Sequence, residues 1–307
     1  MRISTLQMQN NGLNGILDRQ SELSKTQQQL ATGKRVLNPS DDVNATTQAL
    51  ALNKVIATHE QYQRNADSAI SRLKQEEISL TNATDILQRI HELAIQDANP
   101  LLDATSRKSM AAEARVLLDQ MIGLANSQDS EGEYIFSGYN VGTAPITATE
   151  NPGGSGLYDY AYTGDAGQRN IQLSANRQIE VGDPGQDVFM DVPLSGGGTQ
   201  SIFETLEQFA LDLEANNTPN SVVPADMQVA IDHLGTFISK SGARQTAIEG
   251  QQQFNEDVVL QSKTTLSEVQ DLDYAEAISR LNLHMVSLEA SQQSFSKIQN
   301  LSLFNFL

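Results

Sequence analysis

The stretch Tyr274-Ala-Glu-Ala-Ile278-Ser-Arg-Leu281-Asn-Leu-His-Met285-Val-Ser-Leu288 decides the fold. Tyr274, Ile278, Leu281, Met285, Leu288 and, further on, Phe295 follow alternating steps of four and three, with Gln292 as the polar member. That spacing sets them along one helical seam of the coiled-coil type. At the other end of the chain Leu6, Leu13, Ile16, Leu23 and Leu30 occupy a matching seam whose remaining positions are Gln9, Gln20 and Gln27. A seam so diluted with glutamine buries too little apolar surface to hold a lone helix against its ordering entropy. The two ends are therefore expected to pair with each other and to need further partners. These are the traits of an assembly protein rather than a catalyst.

Working inward, helical phase divides the chain. Asn38-Pro39-Ser40-Asp41-Asp42 ends the first seam: proline disfavours helix at the residue before it, Ser40 is placed to cap the next helix, and the aspartates suit its positive end. Leu52, Val55, His59, Tyr62, Ala66, Ala69, Leu73, Glu76, Leu80, Ala83, Leu87, Ile90 and Ala94 then step by three and four without a slip, and Asn99-Pro100 closes this long helix. A second helix, 104–126, with Met110, Ala114, Leu117, Met121 and Leu124 on one face, is expected to fold back antiparallel to it. From 134 to 199 glycine, proline and aromatic residues replace the helical period. Tyr158-Asp-Tyr-Ala-Tyr162 alternates like a strand, with Gly164-Asp165 and Ala166-Gly167 offering a turn, and Ile171, Leu173, Ile179 and Val181 suggest further strands.

Helix resumes with Phe203, Leu206, Phe209, Ala210 and Leu213 and, past Pro219 and Pro224, a seam from Met227 through Ser241, Ile248 and Asn255 to Val269. That seam projects onto Asp273 and Glu276, yet the last one restarts at Tyr274, so the phase slips at Asp271-Leu272-Asp273. The expected fold class is mainly α with a β-rich insert, a long antiparallel coiled-coil-like helical bundle built from both chain ends. Three domains follow: 1–38 with 272–307, a terminal coiled coil; 39–139 with 200–271, a helical bundle; and 140–199, a small β-rich outer domain.

The 307 residues contain no cysteine and no tryptophan and carry a formal charge of −18. Without cysteine there is no disulfide framework, thiolate nucleophile or cysteine zinc site. The charge argues against nucleic acid as a partner. No segment reaches the roughly 20 apolar residues of a membrane span. Met1-Arg-Ile-Ser-Thr-Leu-Gln lacks the apolar core of a cleaved signal peptide, so departure from the cell would use another route. His59, His91, His233 and His284 form no ligand pair. Ser127-Gln-Asp129-Ser-Glu131-Gly132 fails as a calcium loop at its first position and at Gly138. Gly153-Gly154 and Gly196-Gly197-Gly198 lack the Gly-Lys-Ser/Thr of a phosphate loop. No catalytic residue, cofactor or metal site is expected. Ile298, Leu301, Leu303, Phe304, Phe306 and Leu307 load an apolar cluster onto the end of the chain, which marks an interaction surface. The expected assembly interface is Leu6, Leu13, Ile16, Leu23, Leu30, Tyr274, Ile278, Leu281, Met285, Leu288, Phe295, Ile298, Leu301 and Phe304.

Gln29-Leu-Ala-Thr-Gly-Lys-Arg-Val-Leu-Asn-Pro-Ser-Asp-Asp42, followed by Gln48-Ala-Leu-Ala-Leu52, resembles the N-terminal part of the flagellin superfamily, and more closely its hook–filament junction members. Gly132-Glu-Tyr-Ile-Phe-Ser-Gly138 looks like that family's end to the second helix, and Ile298-Gln-Asn-Leu-Ser-Leu-Phe304 is similar to its C-terminus. The likeness covers roughly 1–140 and 200–307, with weaker similarity around Tyr162-Thr-Gly-Asp-Ala-Gly-Gln168. Val43 departs from the proline expected there. The resemblance implies an extracellular subunit of the bacterial flagellum, exported unfolded through the flagellar type III apparatus. It further implies a ring of self-associated copies between a hook-side junction protein and flagellin, with an export chaperone on the C-terminal region. A filament flagellin, which shares the terminal-helix plan, and a helical component of another type III system are the alternatives.

Overall fold

The computed structural model describes residues 5–99, 101–150, 157–217 and 221–304, with side chains from 7 to 297 within those ranges. Pro100, Gly153-Gly154, Pro219 and the last three residues lie outside it, as do the side chains of Leu6, Ile298, Leu301, Leu303 and Phe304. The chain is mainly helical, as its periodicities require. Helices α1 (Thr5–Thr32), α2 (Val43–Asp97) and α3 (Ala104–Ala125) precede the short strands β1 (Ile146–Glu150), β2 (Tyr158–Tyr162), β3 (Asn170–Ser174) and β4 (Arg177–Glu180). A π-helical turn (Gln186–Met190) and strands β5 (Val192–Pro193) and β6 (Thr199–Gln200) lead into α4 (Ile202–Glu214), α5 (Val223–Gln270) and α6 (Tyr274–Phe304). The chain packs as two compact units, Met1–His59 with Asp257–Leu307, and Glu60–Glu256. Helices α2 and α5 contribute residues to both.

Helices α2, α3, α4 and α6 begin where a short polar side chain takes over an orphan backbone donor. Asp42 Oδ1 accepts from Ala45 N–H at 2.9 Å, so Asp42, not Ser40, caps α2; its neighbour Asp41 instead accepts from Leu37 and Asn38 N–H. Ser40 is too far upstream of Val43 to reach the first turn. Asp103 caps α3 through Ser106 N–H, Ser201 caps α4 through Phe203 N–H, and Asp273 caps α6 through Ala275 and Glu276 N–H. Gly33 ends α1 with φ 70°, its N–H returning to Gln29 O at 2.9 Å, a left-handed position that glycine takes without steric cost.

In the unit Glu60–Glu256 the uninterrupted three–four stepping of α2 becomes a buried stripe: Leu73, Leu80, Ala83, Leu87 and Ile90 are sealed from solvent. Leu80, Ala83, Leu87 and Ile90 pack with Met110, Ala114 and Met121 of α3, Phe203, Leu206 and Leu213 of α4, and Met227 and Leu234 of α5. Phe136, Phe189 and Phe203 stack through the centre, with Phe136 edge-on to Phe189 at 5.0 Å between ring centroids. A smaller cluster joins Ala66, Ala69, Leu73 and Ile248 to Leu173 and Val181 of the strand region.

The strands form three separate antiparallel hairpins, β1–β2, β3–β4 and β5–β6. Here the sequence expectation needs correction. Strand β2 does not turn back at 164–167; it pairs with β1 upstream, Ile146 opposite Tyr162. Asp165 instead organises the 163–167 link between two hairpins, its Oδ1 accepting from Tyr139 and Gly167 N–H. Ile146, Tyr160, Val188, Phe189 and Val192 lie in the same core as the helices.

Candidate assembly interface

Within the unit formed by both chain ends, α1 and α6 lie side by side and antiparallel. Gly12 meets Phe295, Glu22 Oε2 lies 3.5 Å from His284 Nδ1, and Gly33 meets Tyr274. The two helix breaks are tied to each other. Leu272 N–H donates to Gly33 O at 2.9 Å and Arg35 N–H to Gln270 O at 2.7 Å, around an antiparallel bridge between Lys34 and Asp271. Arg35 Nη2 reaches Val269 O, and Gln29 Nε2 donates back to Arg35 O at 2.6 Å. Because backbone donors and acceptors freed by one interrupted helix are satisfied by the other, the breaks become a two-stranded joint. Beside it the Lys25 ammonium, 2.7 Å from Asp41 Oδ1, holds that carboxyl below the usual carboxylate range; the Ala45 backbone N–H does the same for Asp42.

The side chains that α6 draws out of solvent are Ala277, Arg280, Leu281, His284, Ser287, Leu288, Ser291 and Phe295; on α1 they include Gln9, Gly12, Ile16, Leu23, Thr26, Gln29 and Leu30. Of the residues singled out from sequence, Ile16, Leu23, Leu30, Leu281, Leu288 and Phe295 are thus half-buried. Leu13 remains 47% exposed, Tyr274 54%, Ile278 50% and Met285 51%. Leu6, Ile298, Leu301 and Phe304 fall outside the described side chains. The apolar stripe is therefore wider than the face one partner helix covers. Its seven-residue set at 281, 288 and 295 turns toward α1, while Ile278 and Met285, joined by Leu283 and Val286, face outward. A continuous exposed apolar stripe on a helix is a surface for another helix.

Sequence reasoning passed over Gly12, Ala277, His284 and Ser291, because small and polar residues carry no hydrophobic signal. The step of four from Gly12 to Ile16 and the heptad spacing of Ala277, His284 and Ser291 were the available clues. Small residues let two helix backbones approach, and that, rather than apolar area, selects this face.

The other unit holds a buried charged cluster. Glu76 Oε1 accepts from Asp183 N–H at 2.8 Å, and Arg244 Nη1 pairs with Asp183 Oδ2 at 2.8 Å. Arg72 bridges Asp129 and Glu133. Burial, reinforced by the negative Asp183, pushes the Glu76 carboxyl up to about 7. Arg72 and Arg244 are each held by carboxylates, so the cluster works as an internal tie between α2, α5 and the loops. Among the described residues no group of three or more His, Asp or Glu is arranged to hold a metal ion, and no helix is long and apolar enough to cross a membrane.

Residues 3–141 match the bacterial flagellin N-terminal helical region. The flagellar hook-associated protein 3 of Escherichia coli (strain K12) is 29% identical over 325 aligned positions, spanning 99% of this chain and 99% of that protein. The flagellin of Bacillus subtilis (strain 168) is 24% identical, over 92% of this chain and 91% of that protein. Among solved structures, the flagellar hook-associated protein-3 of Legionella pneumophila shares the fold, with a TM-score of 0.64 at 24% identity over 71% of this chain and 98% of that one.

Proposed function

We propose that the chain is a structural component of the bacterial flagellum related to the flagellins, and that it occupies the junction between hook and filament, assembling there with copies of itself. The observation that carries this reading is the end-to-end match to a hook-associated protein 3, which is longer in reach and higher in identity than the match to a flagellin. The outward apolar stripe on α6 supports self-association, because the helix pair leaves it uncovered.

In this reading Leu6, Leu13, Ile16, Leu23 and Leu30 work with the α6 residues from Tyr274 to Phe304 as the assembly interface. Tyr274, Leu281, Leu288 and Phe295 hold the pair together, and Ile278 and Met285 meet neighbouring copies. The domains of this reading are a terminal coiled coil of 1–38 with 272–307, a helical bundle of 39–139 with 200–271, and a small β-rich domain of 140–199. The neighbours are a hook-side junction protein on one side and flagellin on the other. An export chaperone covers the C-terminal apolar cluster before release through the flagellar type III apparatus. No catalytic role is assigned.

Deletion tests the placement. Cells lacking this chain should build hooks and shed filament protein into the medium; hooks that still carry filaments would reject it. Complementation with Leu281→Asp should fail to restore filaments although the unit Glu60–Glu256 still folds, because packing the seam would strip water from a charge that has no partner there. Normal filaments on that variant would show that the wrong face has been assigned.

A further inference from the structure

The terminal helix pair has an alignment problem that its apolar residues do not solve. Ile16, Leu23 and Leu30 recur every seven residues on α1, and Leu281, Leu288 and Phe295 recur every seven on α6. Sliding one helix by a heptad therefore brings leucine back against leucine, and the hydrophobic pattern alone barely distinguishes the alternatives.

Two glycines do distinguish them. A Cβ added at Gly12 would stand 2.8 Å from Phe295 Cδ2 and 3.1 Å from Cε2; one added at Gly33 would stand 2.9 Å from Tyr274 Oη. The Phe295 ring thus fills space that only glycine at 12 leaves open, while a Cβ at 33 would have to push aside the tip of the Tyr274 side chain. Gly12 and Gly33 are 21 residues apart, and so are Tyr274 and Phe295. In an antiparallel pair one step forward on one strand matches one step back on the other, so both seats specify the same alignment. The Glu22–His284 contact between them agrees with it to within one residue. A slide of one heptad would set Phe295 against Thr5 or Arg19 and, in the direction that keeps it on α1, Tyr274 against Thr26, all of which carry a Cβ.

We propose that Gly12 beneath Phe295 and Gly33 beneath Tyr274 are register pins, which select one alignment of the terminal helices from the heptad-shifted set. The inference rests on the reading that this pair is the assembling element, and extends it to how the pair is specified. Gly15 supplies an internal control: it lies one turn from Gly12 on the same helix, yet a Cβ there would meet nothing within 4 Å.

The chain has no cysteine, so engineered pairs report alignment directly. In the full chain, Ile16→Cys with Ser291→Cys samples the pinned alignment, and Ile16→Cys with His284→Cys samples a one-heptad slide. Oxidation should link the first pair at least tenfold faster than the second. Adding Gly12→Leu should abolish that preference, adding Gly15→Leu should change it less than twofold, and Phe295→Ala should restore it to Gly12→Leu. Equal effects of leucine at 12 and 15, absence of preference in the parent, or failure of Phe295→Ala to rescue would each overturn the pins. Filament attachment is scored separately in cysteine-free Gly12→Leu cells. If the preference is lost yet filaments attach normally, the pins stand and the assembly role given to this helix pair falls.

Discussion

The helix pair at the chain ends and the helices of Glu60–Glu256 are written with the same three–four spacing, yet they bury side chains to very different extents. In the second, Leu73, Leu80, Leu87, Leu206 and Leu234 are sealed off and three phenylalanines fill the centre. In the first, Leu23, Leu30, Leu281 and Leu288 are only half-covered, and the best-buried residues of α1 are Thr26 and Gln29. Burial at about 25 cal/mol per Å² of apolar surface must outweigh roughly 1–2 kcal/mol of backbone entropy per residue. The four-helix core of the inner unit is built to do so. A pair of helices with one open side is not. Heptad spacing tells where a seam lies; the number of helices around it decides whether it holds.

The sharpest way to break this contrast is hydrogen exchange on dilute chain. Amides in the buried parts of α2, α3 and α5 should open only with global unfolding, typically about 5–15 kcal/mol, whereas residues up to about 37 and from about 272 should exchange near zero cost and gain protection on assembly. Uniform protection along the whole chain would erase the distinction. Next in size, Phe136→Ala should lower the stability of the inner unit by about 3–5 kcal/mol, because a fully enclosed ring leaves a cavity. Leu281→Ala should shift the same melting transition by less than about 0.5 kcal/mol, the range of a substitution away from the core being melted. Comparable shifts would mean that the ends and the inner unit unfold as one.

The buried charge of the inner unit sharpens the contrast through pH. The Glu76 carboxyl titrates near 7 in the folded chain and near 4.5 unfolded. Between those values the unfolded chain has released a proton that the folded chain still holds, so stability falls as pH rises through this window and levels off above it. The difference corresponds to about 3 kcal/mol at most. Glu76→Gln should flatten that slope, measured by denaturant unfolding at pH 5 and pH 8; an unchanged slope would show that Glu76 is ionised throughout.

Much of this was legible because long helices repeat their instructions. The seam of α2 could be followed through Glu76 because that residue keeps the phase, and it is fully enclosed there. The phase slip at 271–273 falls at the joint with Gly33–Arg35, whereas the first helix stops at Thr32, capped by Gly33, well before the break read at Pro39. The hairpins were harder. Ile146-Thr-Ala-Thr-Glu150 alternates only weakly, with Ile146 as its one large apolar residue, while the turn signal lies downstream of Tyr162, so the pairing of β2 with β1 is not legible there. Capping slipped for a related reason: Ser40, Asp41 and Asp42 are all competent acceptors, and only the chain path chooses Asp42. At the interface the face used by α1 was hidden because its decisive residue, Gly12, has no side chain to read.

The joint at Gly33–Arg35 and Gln270–Leu272 also has a bearing on degradation. Both tails leave the rest of the chain through a single clasp, where each strand holds the other's loose backbone groups. A protease that severs one strand of the clasp unfastens its mate, so trimming of the free chain proceeds by losing both tails together, and a one-tailed fragment is short-lived.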